Sequence, residues 1–142
     1  MKYEFGGPLW SAALHGMIAE RVATLSKTNP NLTMSICEVF NDAPERLAGP
    51  SRKLAWSCVV EGDKVDFRPE ERNDVRVKVT ADWAATVPLG QFCTEGDPER
   101  AAKLQSMVAA TVAAGKLSFV GDRTPNADSV PSIHDAIARL TA

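Results

Sequence analysis

The chain is 142 residues long, a length that supports a single domain, 1–142, whose one core can bury about two thirds of its unfolded surface. A hydrophobic fraction of 44% beside 24% charged residues excludes intrinsic disorder, collagen-like repeats and coiled coil. The net charge of −2 provides no overall attraction to phosphate backbones or anionic membranes, so nucleic acid is not an expected partner.

In chain order, Met1–Pro8 carries Glu4 and two glycines where a secretory signal needs an uninterrupted apolar run. Gly7-Pro8 then opens a helix, and Trp10, Leu14, Ile18, Val22 and Leu25 follow at helical spacing until Thr28-Asn29-Pro30-Asn31 stops it. Leu32 to Cys37 alternates as a half-buried strand does. A connection with two prolines and a glycine, Asn41 to Ser51, leads to a second strand with Leu54, Trp56, Cys58 and Val60 on one face. Gly62-Asp63 predicts a hairpin into Lys64–Arg68.

A fourth strand over Asp74–Thr80 places Val75, Val77 and Val79 on one side, which implies a sheet covered by helices on its valine face. Asp82 can cap a short helix from Trp83 that Pro88 and Gly90 would end. Asp97 as N-cap, Pro98 at the first helical position and Gly115 past the end delimit a long helix with Ala101, Leu104, Val108 and Val112 on one stripe. A strand from Leu117 to Gly121, a loop through Pro125 and Pro131, and a short helix marked by Ile133, Ile137 and Leu140 complete the chain. The fold class is α+β: a five-stranded, mostly antiparallel sheet with helices on one side.

Two segments, Gly115-Lys116-Leu117-Ser118-Phe119-Val120-Gly121-Asp122 behind the long alanine-rich helix and the alternating strand Asp74–Thr80 entering a short helix, carry a likeness beyond fold class. With the order of elements from Leu32 to Leu140, they resemble the sterol carrier protein type-two family of nonspecific lipid-binding domains. The resemblance implies an α/β cradle for an apolar ligand, with no catalytic signature. It is closer to a bacterial-type cytosolic relative, since Arg139-Leu140-Thr141-Ala142 is no recognisable peroxisomal signal. The long Asn41 to Ser51 connection departs from the pattern, and so does Pro88, beside the pocket mouth that the family implies.

In such a fold the ligand lies between sheet and helices, and its lining comes from core-facing residues. Trp83, Leu89 and Phe92 are the candidates at the mouth. Leu104, Met107 and Val108 are the candidates on the long helix, and Phe119 on the last strand. The competing reading is that these residues simply pack against one another. Among titratable groups, His15 lies on the flank of the first helix, where a lone histidine is ordinarily structural or exposed. Glu38 continues the parity of Met34, Ile36 and Phe40. It either faces the covered side, where its pKa would rise and it could act as an acid or base, or is turned to solvent by a bulge near the strand end. The mixed-charge run Arg68 to Arg76 reads as a solvated loop and strand face. The sharper alternative makes Arg72 or Arg76 an anchor for the head of an acyl ligand.

Phosphate loops, nucleophile elbows and zinc-protease motifs are missing. Cys37, Cys58 and Cys93 are odd in number and scattered, without histidines nearby, so they imply neither a disulfide framework nor a metal site. No cofactor and no integral membrane segment are expected, and the expected location is the cytoplasm. The first functional expectation is a carrier for a sterol, fatty acyl chain or similar metabolite. The alternatives are an enzyme on an apolar acyl or steroid-like substrate, or an accessory domain that forms a homodimer or docks on a partner enzyme.

Overall fold

The computed structural model describes residues 2–121 and 130–142. The order is α1 (Pro8–Leu25), β1 (Thr33–Asn41), α2 (Glu45–Ala48), β2 (Leu54–Glu61), β3 (Lys64–Arg68), β4 (Val77–Asp82), α3 (Trp83–Gln91), α4 (Pro98–Ala113), β5 (Leu117–Gly121) and α5 (Val130–Arg139). The expected loop through Pro125 lies outside the described residues, as does Asp122 of the Gly-Asp pair; Pro131 falls within α5.

The strands form one mixed sheet in the order β3-β2-β1-β4-β5. β1, β2 and β3 are the expected antiparallel meander, β4 runs parallel to β1, and β5 pairs antiparallel with β4. This order obliges the chain leaving β3 to cross two strands before it enters β4. Residues 69–76 make that crossing over the face of the sheet opposite the core, where Arg72 N–H reaches Cys37 Sγ at 3.5 Å and Arg76 N–H donates to Ser35 Oγ at 2.6 Å. Glu71 bridges Lys53 (2.8 Å) and Lys78 on the same side. The charged run therefore lies over the back face, where Cys37, Val39 and Ser57 are buried, while its charged residues other than Arg72 stay exposed, as the solvated reading expects.

The local signals for the helices are realised by side-chain caps. Asp82 accepts from Ala85 N–H at 3.0 Å at the start of α3, and Asp97 accepts from Glu99 N–H at 3.4 Å at the start of α4. Pro88, read from the sequence as a stop, instead lies inside α3. It sits late in the helix, where its missing N–H forfeits one bond and the chain closes regardless through Phe92 N–H to Leu89 O at 3.3 Å. Val112 departs from the expected α4 stripe and is 43% exposed; Leu104, Met107 and Val108 form the face that meets the core.

Phe5, in a segment that the sequence left without a role, is the hub of the core at one end of the sheet. Its ring meets Trp10 at 5.0 Å and Phe40 at 5.1 Å, both edge to face, and Gly90 of α3 leaves it room: a Cβ there would lie 2.5 Å from Phe5 Cε2. The chain termini hold this arrangement. Tyr3 N–H donates to Leu140 O, Ala142 N–H donates to Tyr3 O, and Trp10 Nε1–H donates to Thr141 Oγ1 at 3.1 Å.

Candidate functional site

Alternation along the strands puts Met34, Ile36, Glu38 and Phe40 of β1 on the helix-covered face, and the register shows what lies beside each. One row across the sheet reads Trp56, Glu38, Val79, Phe119. Toward the Phe5 end the neighbouring row is better covered: Phe40, Ala81 and Leu117 are buried and Leu54 is partly so. Toward the opposite end it is not. Met34, Ile36 and Val77, on the covered face of the two central strands, are only half-buried although they pack against the core. The covered face of central strands is where a closed core is normally densest. Their β2 partners in the same rows, Cys58 and Val60, are buried, so the accessible part is confined to the β1 and β4 side of that end.

Glu38 sits at the border between the closed and open parts. The pairing of β1 with β2 runs without interruption from Thr33 to Phe40, so the alternative of a bulge turning Glu38 outward is not realised. Burial pushes its carboxyl up to about 7. No hydrogen bond or ion pair among the described residues offsets that burial. Part of the side chain nevertheless remains accessible. A group enclosed by protein on most sides and still reachable occupies a crevice, and a carboxyl without a partner there is held partly neutral at neutral pH. Such a group can donate or accept a hydrogen bond, or move a proton.

Its cross-strand neighbour Trp56 is 6% exposed, and its indole Nε1 is buried without a hydrogen-bond partner. The Trp56 ring stacks on Phe67 at 5.5 Å, and Phe67 stacks on His15 at 4.8 Å. His15 thus lies exposed on α1 at the outer end of an aromatic stack, and no hydrogen bond joins it to Glu38. The two weak catalytic candidates are not brought together as an acid/base pair.

The candidate lining residues are distributed as follows. Trp83 opens α3 half-buried, with its Nε1–H donating to Phe5 O at 3.2 Å, and Leu89 is buried in the core. Phe92 lies at the end of α3 beneath Arg100 (4.6 Å to the ring centre) and Lys103 (5.9 Å), apart from the core cluster. Leu104, Met107 and Val108 are half-buried against the core, as is Phe119 in the row of Glu38. Met34, Ile36, Val77 and Trp56 share the covered face with these candidates, and no sequence signal sets them apart. Alternation placed Met34, Ile36 and Trp56 on their faces, but nothing in alternation tells an inward residue that is covered from one that is not.

Two cavities open near the same end of the covered face, and none of the seven candidates lines either. One, about 20 Å³ and close to the room of a single water, is lined mainly by Ile18, Val22, Leu25, Leu32, Met34, Val60 and Ile133. The other is a groove of about 240 Å³ between α1 and α5, bordered by Met17, Arg21, Thr24 and Ile133.

Arg72 does not reach this interior. Its guanidinium is engaged by Asp66, 3.3 Å from a carboxylate oxygen and 2.9 Å from the backbone carbonyl, and its backbone N–H meets Cys37 on the back of the sheet. Arg76 likewise belongs to the crossover, whose N–H to Ser35 lies on that face. An anchoring role for either inside the cradle is not supported by this placement.

No protein-family model matches the chain, and no curated protein matches it. Solved structures do. TT1886 from Thermus thermophilus, a conserved protein described as a candidate sterol carrier protein, superimposes with a TM-score of 0.57 at 12% identity, covering 100% of this chain and 94% of that one. A crystal structure of sterol carrier protein 2 gives a TM-score of 0.58 at 13% identity, covering 97% and 100%. A ubiquinone synthesis protein named UbiJ-SCP2 gives 0.50 at 14%, covering 99% and 100%. Identities this low establish a shared fold.

Proposed function

We propose that this chain, which has the sterol carrier protein fold, is a carrier that holds one lipophilic molecule between the sheet and the helices. The observation that supports the reading is the incompletely buried inner face at Met34, Ile36 and Val77, with Glu38 at its border and the α4 face of Leu104, Met107 and Val108 packed against the same core. Apolar surface left accessible inside a fold is stabilised by an apolar occupant, roughly 25 cal/mol for each Å² removed from water. Met107 suits such a wall, because its unbranched side chain adapts to occupants of different shape. The mechanism is burial of the ligand, not chemistry. The three free cysteines, two of them buried, fit a reducing cytoplasmic setting, and no described helix is long and apolar enough to cross a membrane.

Mass spectrometry of organic extracts of the freshly purified protein tests the reading, which expects an unmodified sterol, fatty acyl or similar molecule to co-purify. Met107→Trp is expected to fill the space above the sheet and reduce binding of that molecule, with the fold retained in circular dichroism. In a closed core the same change would overpack and cost about 1–3 kcal/mol with no ligand to displace. A large fall in melting temperature with unchanged binding would favour plain core.

A second reading, an enzyme acting on an acyl or steroid-like substrate in the same space, is favoured by one observation, the carboxyl of Glu38 raised to about 7. Conversion of an extracted ligand by wild type, lost in Glu38→Gln with binding retained, would establish it in place of the carrier.

A further inference from the structure

A carboxyl without a partner stands in an apolar wall. Trp56 lies on one side of Glu38 in its row, Val79 and then Phe119 lie on the other, and the next residue on its own face of β1 is the incompletely buried Ile36. No described residue gives the carboxyl a hydrogen bond or a counter-charge, and the charged and titratable groups of the surrounding elements are engaged elsewhere. On α1, His15 stacks on Phe67, while Glu20 and Arg21 border the groove toward α5. Asp82 caps α3, and Arg100 and Lys103 of α4 lie over Phe92, with Glu99 exposed. On α5, His134 Nε2 meets Phe92 O at 2.8 Å, Asp135 accepts from Thr94, and Arg139 is exposed. Cys58, on the same face of β2, is a neutral thiol whose pKa burial pushes up to about 11, and Cys37 meets the crossover on the back of the sheet.

We propose that occupancy of the interior is coupled to a proton on Glu38: the neutral carboxyl admits an apolar molecule, and the carboxylate opposes it. An apolar occupant laid against this group removes the water that still reaches it and returns neither a hydrogen bond nor a charge. That loss costs the ionised form far more than the neutral one, so the occupant binds chiefly the protonated protein. By reciprocity the occupant holds the proton more firmly, above the value near 7 that burial alone sets. Binding then takes up a proton wherever the empty protein has already released it. Affinity is fullest below about pH 7 and falls as pH rises through that value, so the chain loads on the acid side of neutrality and unloads on the alkaline side.

This coupling deepens the carrier reading and rests on it, and the experiment separates the two. N-Phenylnaphthylamine, an apolar fluorophore that stays neutral, is titrated onto the protein from about pH 6 to about pH 8, with circular dichroism confirming the fold at each point. For wild type, Kd is expected to rise about five- to tenfold over that range, tenfold being the limit for one carboxyl titrating near 7. Calorimetry at about pH 7 in buffers of different ionisation enthalpy should show uptake approaching about half a proton for each probe bound. Glu38→Gln, which keeps the shape and cannot titrate, should bind within about twofold at both ends of the range and take up no proton. A wild-type affinity that is constant or rises with pH, or a fall retained in Glu38→Gln, would overturn the coupling and leave the carrier standing. Absence of saturable binding by folded wild type at about pH 6 would remove the carrier and the coupling with it.

Discussion

Gly121→Val is expected to lower stability by about 3 kcal/mol, roughly 6–12 °C in melting temperature for a domain of this size. Gly121 closes β5 at φ 107°, a backbone conformation that side chains rarely adopt, and it pairs with Val77 at the start of β4. A Cβ added there would lie 1.8 Å from the Arg76 carbonyl oxygen and 2.9 Å from its carbonyl carbon. Both are backbone atoms of the crossover that covers the back of the sheet, and they cannot rotate away as a side chain would. β5 is an edge strand, so the variant's cheapest escape is to detach the end of β5 from β4, which would uncover Val77 and Phe119 at the open part of the interior. Ligand binding should fall along with stability. An unchanged melting temperature would show that Gly121 is not held in this conformation.

Glu38→Leu is expected to act in the opposite direction and to make the protein more stable above neutral pH. The folded-state carboxyl titrates near 7 because burial disfavours its charge, against an ordinary value of 4.5. The folded state therefore holds its proton over a range in which the unfolded chain has released it. Stability contributed by the neutral form is fully present below the ordinary glutamate range, declines as pH rises through about 7, and is gone above it. The shift corresponds to as much as about 3 kcal/mol. Wild type should lose stability between about pH 5 and about pH 8, and the variant should show little of that loss when the two are unfolded in urea at both values. A loss of the same size in both would place the titrating group elsewhere. A residue that costs this much at neutral pH, at the border of an accessible interior, is the kind of group a protein retains for binding or chemistry and not for stability.

What could be read from the sequence was what is local. Asp97, Pro98 and Gly115 set the bounds of α4 because a cap, a preset φ and a C-terminal glycine each act within one turn of the helix. β2 and β3 were legible through alternation and Gly62-Asp63. The hidden features are non-local. Nothing near Arg72 says that the run from Arg68 to Arg76 crosses two strands, because the crossing follows from β4 docking parallel to β1, a choice made by the whole sheet. The same holds for Phe5, whose role depends on Phe40, Trp10 and Gly90, each brought to it by the fold. At the candidate site, parity placed Glu38 inward, with a bulge near the strand end as the alternative; the unbroken register keeps it inward, where burial raises its carboxyl to about 7. That Trp56 would stand opposite Glu38 required the register of β1 on β2, which alternation alone leaves free by two residues at a time.

The most direct test of a lipid-holding interior is the binding isotherm of a long-chain fluorescent fatty acid or sterol analogue on delipidated, folded protein. The account predicts saturation at one probe for each chain, with an affinity that changes little on raising the salt concentration, because the walls at Met34, Ile36, Val77 and Met107 are apolar. Absence of saturable binding for several chemically different probes, on protein whose circular dichroism shows the native fold, would contradict it.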